Sequence, residues 1–194
     1  DPSVLELAKA YEDFANKGYF SEGIASNVWP AGQNQELAMG TAAMYLNGSW
    51  LPNEVKDMAG DDFRWGCFSY PAVEGGTDGT EAANFGAQVL AINKDSKNAE
   101  AAFQLITYLT KGEFDKKLSV ESVGIPSDST NTEWPAQIAC VQPVMESLTT
   151  RYPWAAGAED NVDMTPIIKE NMMKLCGGSV TADEFVANLQ AAGK

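Results

Sequence analysis

The sequence predicts an α/β fold, and three observations carry that prediction. Strand-length apolar runs, at residues 42–46 and 89–92 among others, alternate with stretches whose apolar residues recur at helical spacing. Gly, Pro or Asn punctuates the ends of these runs. The chain, 194 residues with 44% hydrophobic and 21% charged, has the length and composition to bury a sizeable core. The order is a helix, strand candidates, a long helix and then mostly helices, an incompletely wound version of the class.

Residues 3–17 read as an amphipathic helix. Leu7, Tyr11 and Phe14 share one face, Glu6, Lys9, Glu12 and Asp13 point elsewhere, and Gly18 is the C-cap. The loop at 19–30 carries Asn27, Trp29 and Pro30, and Trp29 serves either as a ligand platform or as a loop anchor. A short helix at 33–39 stops at Gly40. The run from Ala42 then reads as a buried strand that ends in Asn47-Gly48-Ser49-Trp50. Ligands of open α/β sheets sit beyond the carboxyl ends of strands. There, amide and hydroxyl groups beside a flat indole suit a neutral polyhydroxylated ligand such as a sugar. Asn-Gly is equally a hairpin turn, in which Trp50 would only pack.

A short helix at 52–60 should turn Val55 and Met58 inward, and 63–71 reads as a second strand closed by Pro71. The Gly-rich connector at 74–81 lacks the Lys of a phosphate loop. A third strand is expected at 84–92. The helix expected at 98–118, interrupted near Gly112, has an apolar stripe of Ala102, Phe103, Ile106, Leu109, Phe114 and Leu118 that reads as core. An extended segment at 123–127 precedes a helix at 135–148 that buries Ile138 and is kinked at Pro143. Arg151-Tyr152-Pro153-Trp154 reads as an aromatic loop. Helices at 166–175 and 183–192 close the chain, and Thr181 with Glu184 gives the second a capping box.

Composition excludes several classes of function. A net charge of −14 and a pI near 4.3 oppose nucleic acids and anionic membrane surfaces. The absence of His removes the commonest general base and zinc ligand together. Cys67, Cys140 and Cys176 have no CxxC spacing, and an odd count is a poor disulfide framework, so each reads as a small buried hydrophobe. Glu159, Asp160 and Asp163 lack the spacing of a calcium loop. No catalytic group, metal site or cofactor is therefore expected. The positive signals are loop aromatics, Trp29, Trp50, Trp65, Trp134, Tyr152 and Trp154, which suit binding rather than turnover. No apolar run is long enough to span a membrane.

Several short motifs then follow one another in a specific order. They are Gly40-Thr41-Ala42-Ala43-Met44, the Asn47-Gly48-Ser49-Trp50 turn, residues 85–92, and Lys94-Asp95-Ser96-Lys97-Asn98-Ala99-Glu100 opening a helix. Gly124-Ile125-Pro126 and Gly178-Ser179-Val180-Thr181-Ala182-Asp183-Glu184 complete the series. Over essentially the whole chain this order resembles the C-terminal half of an extracellular solute-binding protein of the carbohydrate, maltose-binding-like type from ABC transporters.

The resemblance implies a periplasmic-binding-protein-like type II fold of two lobes, of which this chain is the C-terminal part. Residues 1–66 and 124–194 would belong to the second lobe, and 67–123 would form a hinge strand and a segment crossing to the first. The ligand site would comprise Trp50 with Ser49 and Asn47, and Asn84, Phe85 and Gly86 before the core strand. Trp29, Arg151 and Trp154 join them as candidate loop contacts. The implied function is non-catalytic capture of a carbohydrate and delivery to ABC permease subunits. Its setting would be a bacterial cell surface, as a lipoprotein, or the periplasm. The other implied partner is the N-terminal half of the same protein, and this chain alone, with one wall of the cleft, is expected to bind sugar weakly or not at all. A carbohydrate-sensing or scaffold domain, and behind it a glycoside-processing enzyme, are the alternative readings.

Overall fold

The computed structural model describes residues 2–153 and 161–193. Its elements run α1 (Pro2–Asn16), α2 (Ala31–Ala38), α3 (Leu51–Ala59), β1 (Ala82–Phe85), α4 (Ala99–Leu109) and α5 (Gly112–Ser122). A 3-10 turn at Ala136–Ile138 leads to α6 (Val141–Ser147), β2 (Thr150–Pro153), α7 (Met164–Cys176) and α8 (Ala182–Ala192). The chain divides into two compact units. Unit 1 comprises Asp1–Ala43, Ser69–Gly86 and Leu148–Lys194, and unit 2 comprises Met44–Phe68 and Ala87–Ser147.

Unit 1 is built on α1, α7 and α8. Ala8, Leu175, Ala182 and Phe185 form its buried centre, with Leu5, Tyr11, Met172 and Leu189 packed around them. Gly18, at φ +68°, ends α1 as expected, and Tyr19 N–H donates to Phe14 O at 3.0 Å. The expected capping box opens α8: Glu184 N–H donates to Thr181 Oγ1 at 3.2 Å and Thr181 N–H donates to Glu184 Oε2 at 2.8 Å. The Glu12 carboxylate of α1 accepts a further α8 donor, Ala182 N–H, at 3.1 Å. Asn188 Nδ2 donates to Oδ1 of the buried Asn171 at 2.9 Å, joining α8 to α7 by a polar contact. The phenols of Tyr11 and Tyr70 share a hydrogen bond of 2.7 Å. Burial, and after it that bond, pushes the Tyr11 hydroxyl well above the ordinary phenol range.

Unit 2 encloses Val55 of α3 and Ile138 of the 3-10 turn completely, with Leu51 and Val123 nearly so. A polar clasp holds the first turn of α5 to the loop after it. Buried Asp115 accepts from Ser127 N–H at 2.9 Å, Asp128 N–H at 3.2 Å and Asn131 Nδ2 at 2.7 Å. In return, Asp128 accepts from Gly112 N–H at 2.9 Å and from the Thr130 hydroxyl at 2.7 Å. The Gly112 and Thr130 donors hold the Asp128 carboxyl down to about 2, from an ordinary value of 3.8. A carboxyl depressed by folding stabilises the native state above its unfolded value and loses that contribution as pH falls through the folded one. The Asp128→Asn variant should therefore show a flatter dependence of stability on pH between about 4 and 2. Urea midpoints across that window check this, and parallel slopes for the two proteins would count against the clasp.

Several expectations require correction. The strand expected at 42–46 is not formed, and Met44 is 73% exposed. The strand expected at 63–71 likewise carries no ladder, and the one at 84–92 is confined to Ala82–Phe85, with Val89 81% exposed. An apolar run signals extension, whereas a strand also needs a neighbour to bond with. Among the described residues β1 has one such neighbour, β2, and residues 42–46 and 63–71 have none. The helix expected at 98–118 is two helices, the break falling just before Gly112, which opens α5 at φ +60°. Its stripe is not core: α4 buries none of its residues and Phe103 is 60% exposed. Val55 is buried as expected, while Met58 is exposed. The helix expected at 135–148 is split into the 3-10 turn and α6. Val123, expected in an extended segment, instead closes α5 at φ +49°, a strained position for a β-branched residue.

Candidate functional site

Trp50 immediately precedes α3, and the buried first turn of that helix fixes it. Leu51, Pro52 and Val55 are sunk into unit 2, while Trp50 remains 41% exposed. The turn before it closes locally. Gly48 N–H donates to Asn47 Oδ1 at 2.7 Å, Leu51 N–H donates to Gly48 O at 3.1 Å, and Asn53 N–H donates to Trp50 O at 3.0 Å. The indole lies directly against Gly48, since a Cβ added there would meet its ring carbons at 2.0 to 2.4 Å. A side chain at position 48 would displace the indole, so glycine is what lets the ring lie there. Asn47 and Ser49 are half-buried beside it. Burial raises the neighbouring Tyr45 phenol, and a hydrogen bond to Asn47 partly offsets the rise. Neither the strand end nor the hairpin read from the sequence is formed, because no strand flanks the turn. It is instead the entry to a helix.

In unit 1, β1 and β2 run parallel, pairing Ala82 with Thr150, Ala83 with Arg151, Asn84 with Tyr152 and Phe85 with Pro153. Arg151 to Pro153, read from the sequence as a loop, is a strand. Pro153 is tolerated at its end because a two-stranded ribbon consists of edges. The carboxyl ends of both strands are exposed, so Asn84, Phe85, Gly86 and Arg151 come together as a group. The Arg151 guanidinium stands 5.4 Å from the centre of the Phe85 ring, a cation–π contact. Tyr152 donates its hydroxyl proton to Asp78 Oδ2 at 2.5 Å. That bond raises the Tyr152 phenol, keeping it protonated. Asp78 was missed in the sequence because the Gly-rich connector around it reads only as flexible, and nothing there signals the contact with Tyr152.

Of the remaining expected residues, one is described and one is not. Trp29 sits in the loop ahead of α2 and is more than half exposed, so it is not a buried anchor. Trp154, Glu159 and Asp160 lie outside the described residues. Two shallow depressions occur elsewhere in unit 1. One, of about 180 Å³, lies beside Glu12, Asn16 and the α8 cap, and the other, of about 210 Å³, lies beside Asn27, Glu36 and Thr41. The expected site residues line neither. No group of three or more His, Cys, Asp or Glu side chains is placed to hold a metal ion among the described residues.

Residues 3–113, more than half of the chain, match the family of bacterial extracellular solute-binding proteins. The chain belongs to that family. No curated protein and no solved structure matches it. The matched span includes Trp29, the turn at 47–50 and residues 84–86, while Arg151 falls beyond it. Membership assigns this solute-binding protein a substrate-binding role in ABC transport and an extracellular or periplasmic setting, in a family that is generally non-enzymatic. The mixture of helices with a parallel strand pair fits an α/β binding-protein fold. Among the described residues no helix is long and apolar enough to cross a membrane.

Proposed function

We propose that this solute-binding protein captures a carbohydrate in an interlobe cleft and delivers it to the permease subunits of an ABC importer. The chain would contribute the C-terminal part of a type II, two-lobe fold, and the N-terminal half of the protein would supply the facing wall. The observation that carries the proposal is the Trp50 indole, which lies against Gly48 at a buried helix start and is 41% exposed. A pyranose presents C–H groups on one face and hydroxyls around its rim. An exposed, pre-aimed aromatic ring takes the face, and neighbouring amides and hydroxyls take the rim. Asn47 and Ser49 provide such groups beside Trp50. Asn84 and the Arg151–Phe85 pair offer a second exposed set on unit 1. No step in this function requires a nucleophile or a general base.

Replacing Trp50 with Ala should lower the affinity of the complete protein for its sugar at least about tenfold, as for an aromatic anchor in a desolvated site. Titration calorimetry measures this, with circular dichroism verifying that the variant is folded. An unchanged affinity in a folded variant would remove Trp50 from the site.

A further inference from the structure

We propose that Asn47 is a site of spontaneous deamidation, closing through a succinimide with the Gly48 nitrogen and opening to aspartate and isoaspartate. Of the asparagines in the chain, Asn47 alone is followed by glycine. Glycine carries no Cβ to crowd its own amide nitrogen as that atom attacks the preceding side chain. The folded chain also holds the two reacting groups together. Gly48 N–H donates to Asn47 Oδ1 at 2.7 Å, and the electrophilic Cγ is one C=O bond, about 1.2 Å, from that oxygen. The terminal torsion of an asparagine is broad, so a turn about Cβ–Cγ presents the carbon to the nitrogen. Among the described residues Gly48 N–H has no backbone acceptor, since the turn belongs to no strand and precedes α3. Asn34, Asn171 and Asn188 instead lie within helices, whose hydrogen-bond ladders hold the amide that follows each of them.

Hydroxide removes the Gly48 amide proton, and the nitrogen forms a bond to Asn47 Cγ. The Cγ–Nδ2 bond breaks, and ammonia leaves with a proton returned by water. Water then adds to the ring. Cleavage between the nitrogen and Cγ gives aspartate in an ordinary backbone. Cleavage between the nitrogen and the main-chain carbonyl carbon gives isoaspartate, whose backbone runs through Cγ. Either route consumes water, releases ammonia and oxidises nothing. The products add a negative charge to the turn that carries Trp50, and isoaspartate also lengthens its backbone by a carbon. In the proposed site this exchanges an amide donor for a carboxylate beside the indole, a consequence that rests on the binding role of the turn. The deamidation itself does not depend on that role.

The test incubates the complete folded protein at mildly alkaline pH beside the same protein unfolded in guanidinium chloride, with peptide mapping by mass spectrometry over time. In the folded protein the peptide holding Asn47 should exchange its amide for a carboxyl ahead of every other asparagine. It should split on chromatography into aspartate and isoaspartate forms, and convert about as fast as in the unfolded chain. The rate should rise with pH. Asn47→Gln, which must close a larger ring, should keep its amide over the same period. An Asn47 that stays intact in the folded protein while the unfolded chain converts would overturn the proposal. So would another asparagine converting first, or aspartate formed without isoaspartate, because direct hydrolysis passes through no ring.

Discussion

Replacing Leu175 with Ala should lower the unfolding free energy by about 3 kcal/mol, inside the ~2–5 kcal/mol typical of fully enclosed leucines. Leu175 is completely buried at the centre of the α1, α7 and α8 cluster, touching the part of unit 1 that joins the first and last helices. The loss combines the transfer of the removed carbons with a cavity that three packed helices can only partly close. Phe103→Ala is the informative control. Sequence periodicity places Phe103 in a core stripe, whereas its exposure in the folded chain predicts a change within about 0.5 kcal/mol. Urea denaturation of both variants separates the two positions. Equal destabilisation would mean that α4 is buried.

Asp115→Ala should cost about 3 kcal/mol through a different mechanism, the loss of an ionised acceptor serving three donors. Asn131 Nδ2 makes the shortest of the three bonds, at 2.7 Å, and the Ser127 and Asp128 amides complete the set. Bonds to charged groups are each worth about 1.5–3 kcal/mol, and water reaching the exposed Ser127 restores part of the total. Asp115→Asn keeps one acceptor oxygen and should recover roughly half of the loss. Denaturation midpoints of the pair measure the difference. If Ala and Asn were equally mild, the clasp would have no role in holding the 127–131 loop to α5.

Legibility in the sequence followed the range of the interaction. Helices with their own caps were readable because the deciding contacts are local. Gly18 ends α1, and the Thr181–Glu184 box starts α8, each through bonds spanning a few residues. Strands were not readable, because residues 82–85 pair with 150–153 and no local pattern announces so distant a partner. Arg151 and Tyr152 were singled out, but Pro153 and the shortness of the run disguised a strand as a loop. The α4 stripe misled because helical periodicity reports which residues share a face, not whether another element covers that face.

Around Trp50 the conformation was not legible in the sequence. In the proposed function Asn47-Gly48-Ser49-Trp50 supplies groups for a sugar, whereas its place as a helix entry depends on burial of Leu51 and Val55, which no turn signal encodes. The close approach of the indole to Gly48 is likewise absent from the sequence signal, since Asn-Gly reads first as a hairpin turn.

The central claim is that the solute is a neutral carbohydrate, bound and released unchanged. Titration calorimetry of the complete protein against mono- and oligosaccharides, amino acids and short peptides, with chromatography of the recovered ligands, tests it most directly. The expected result is saturable binding of at least one neutral sugar, with that sugar recovered intact. Tightest binding of a peptide or amino acid, or cleavage of the bound sugar, would contradict it.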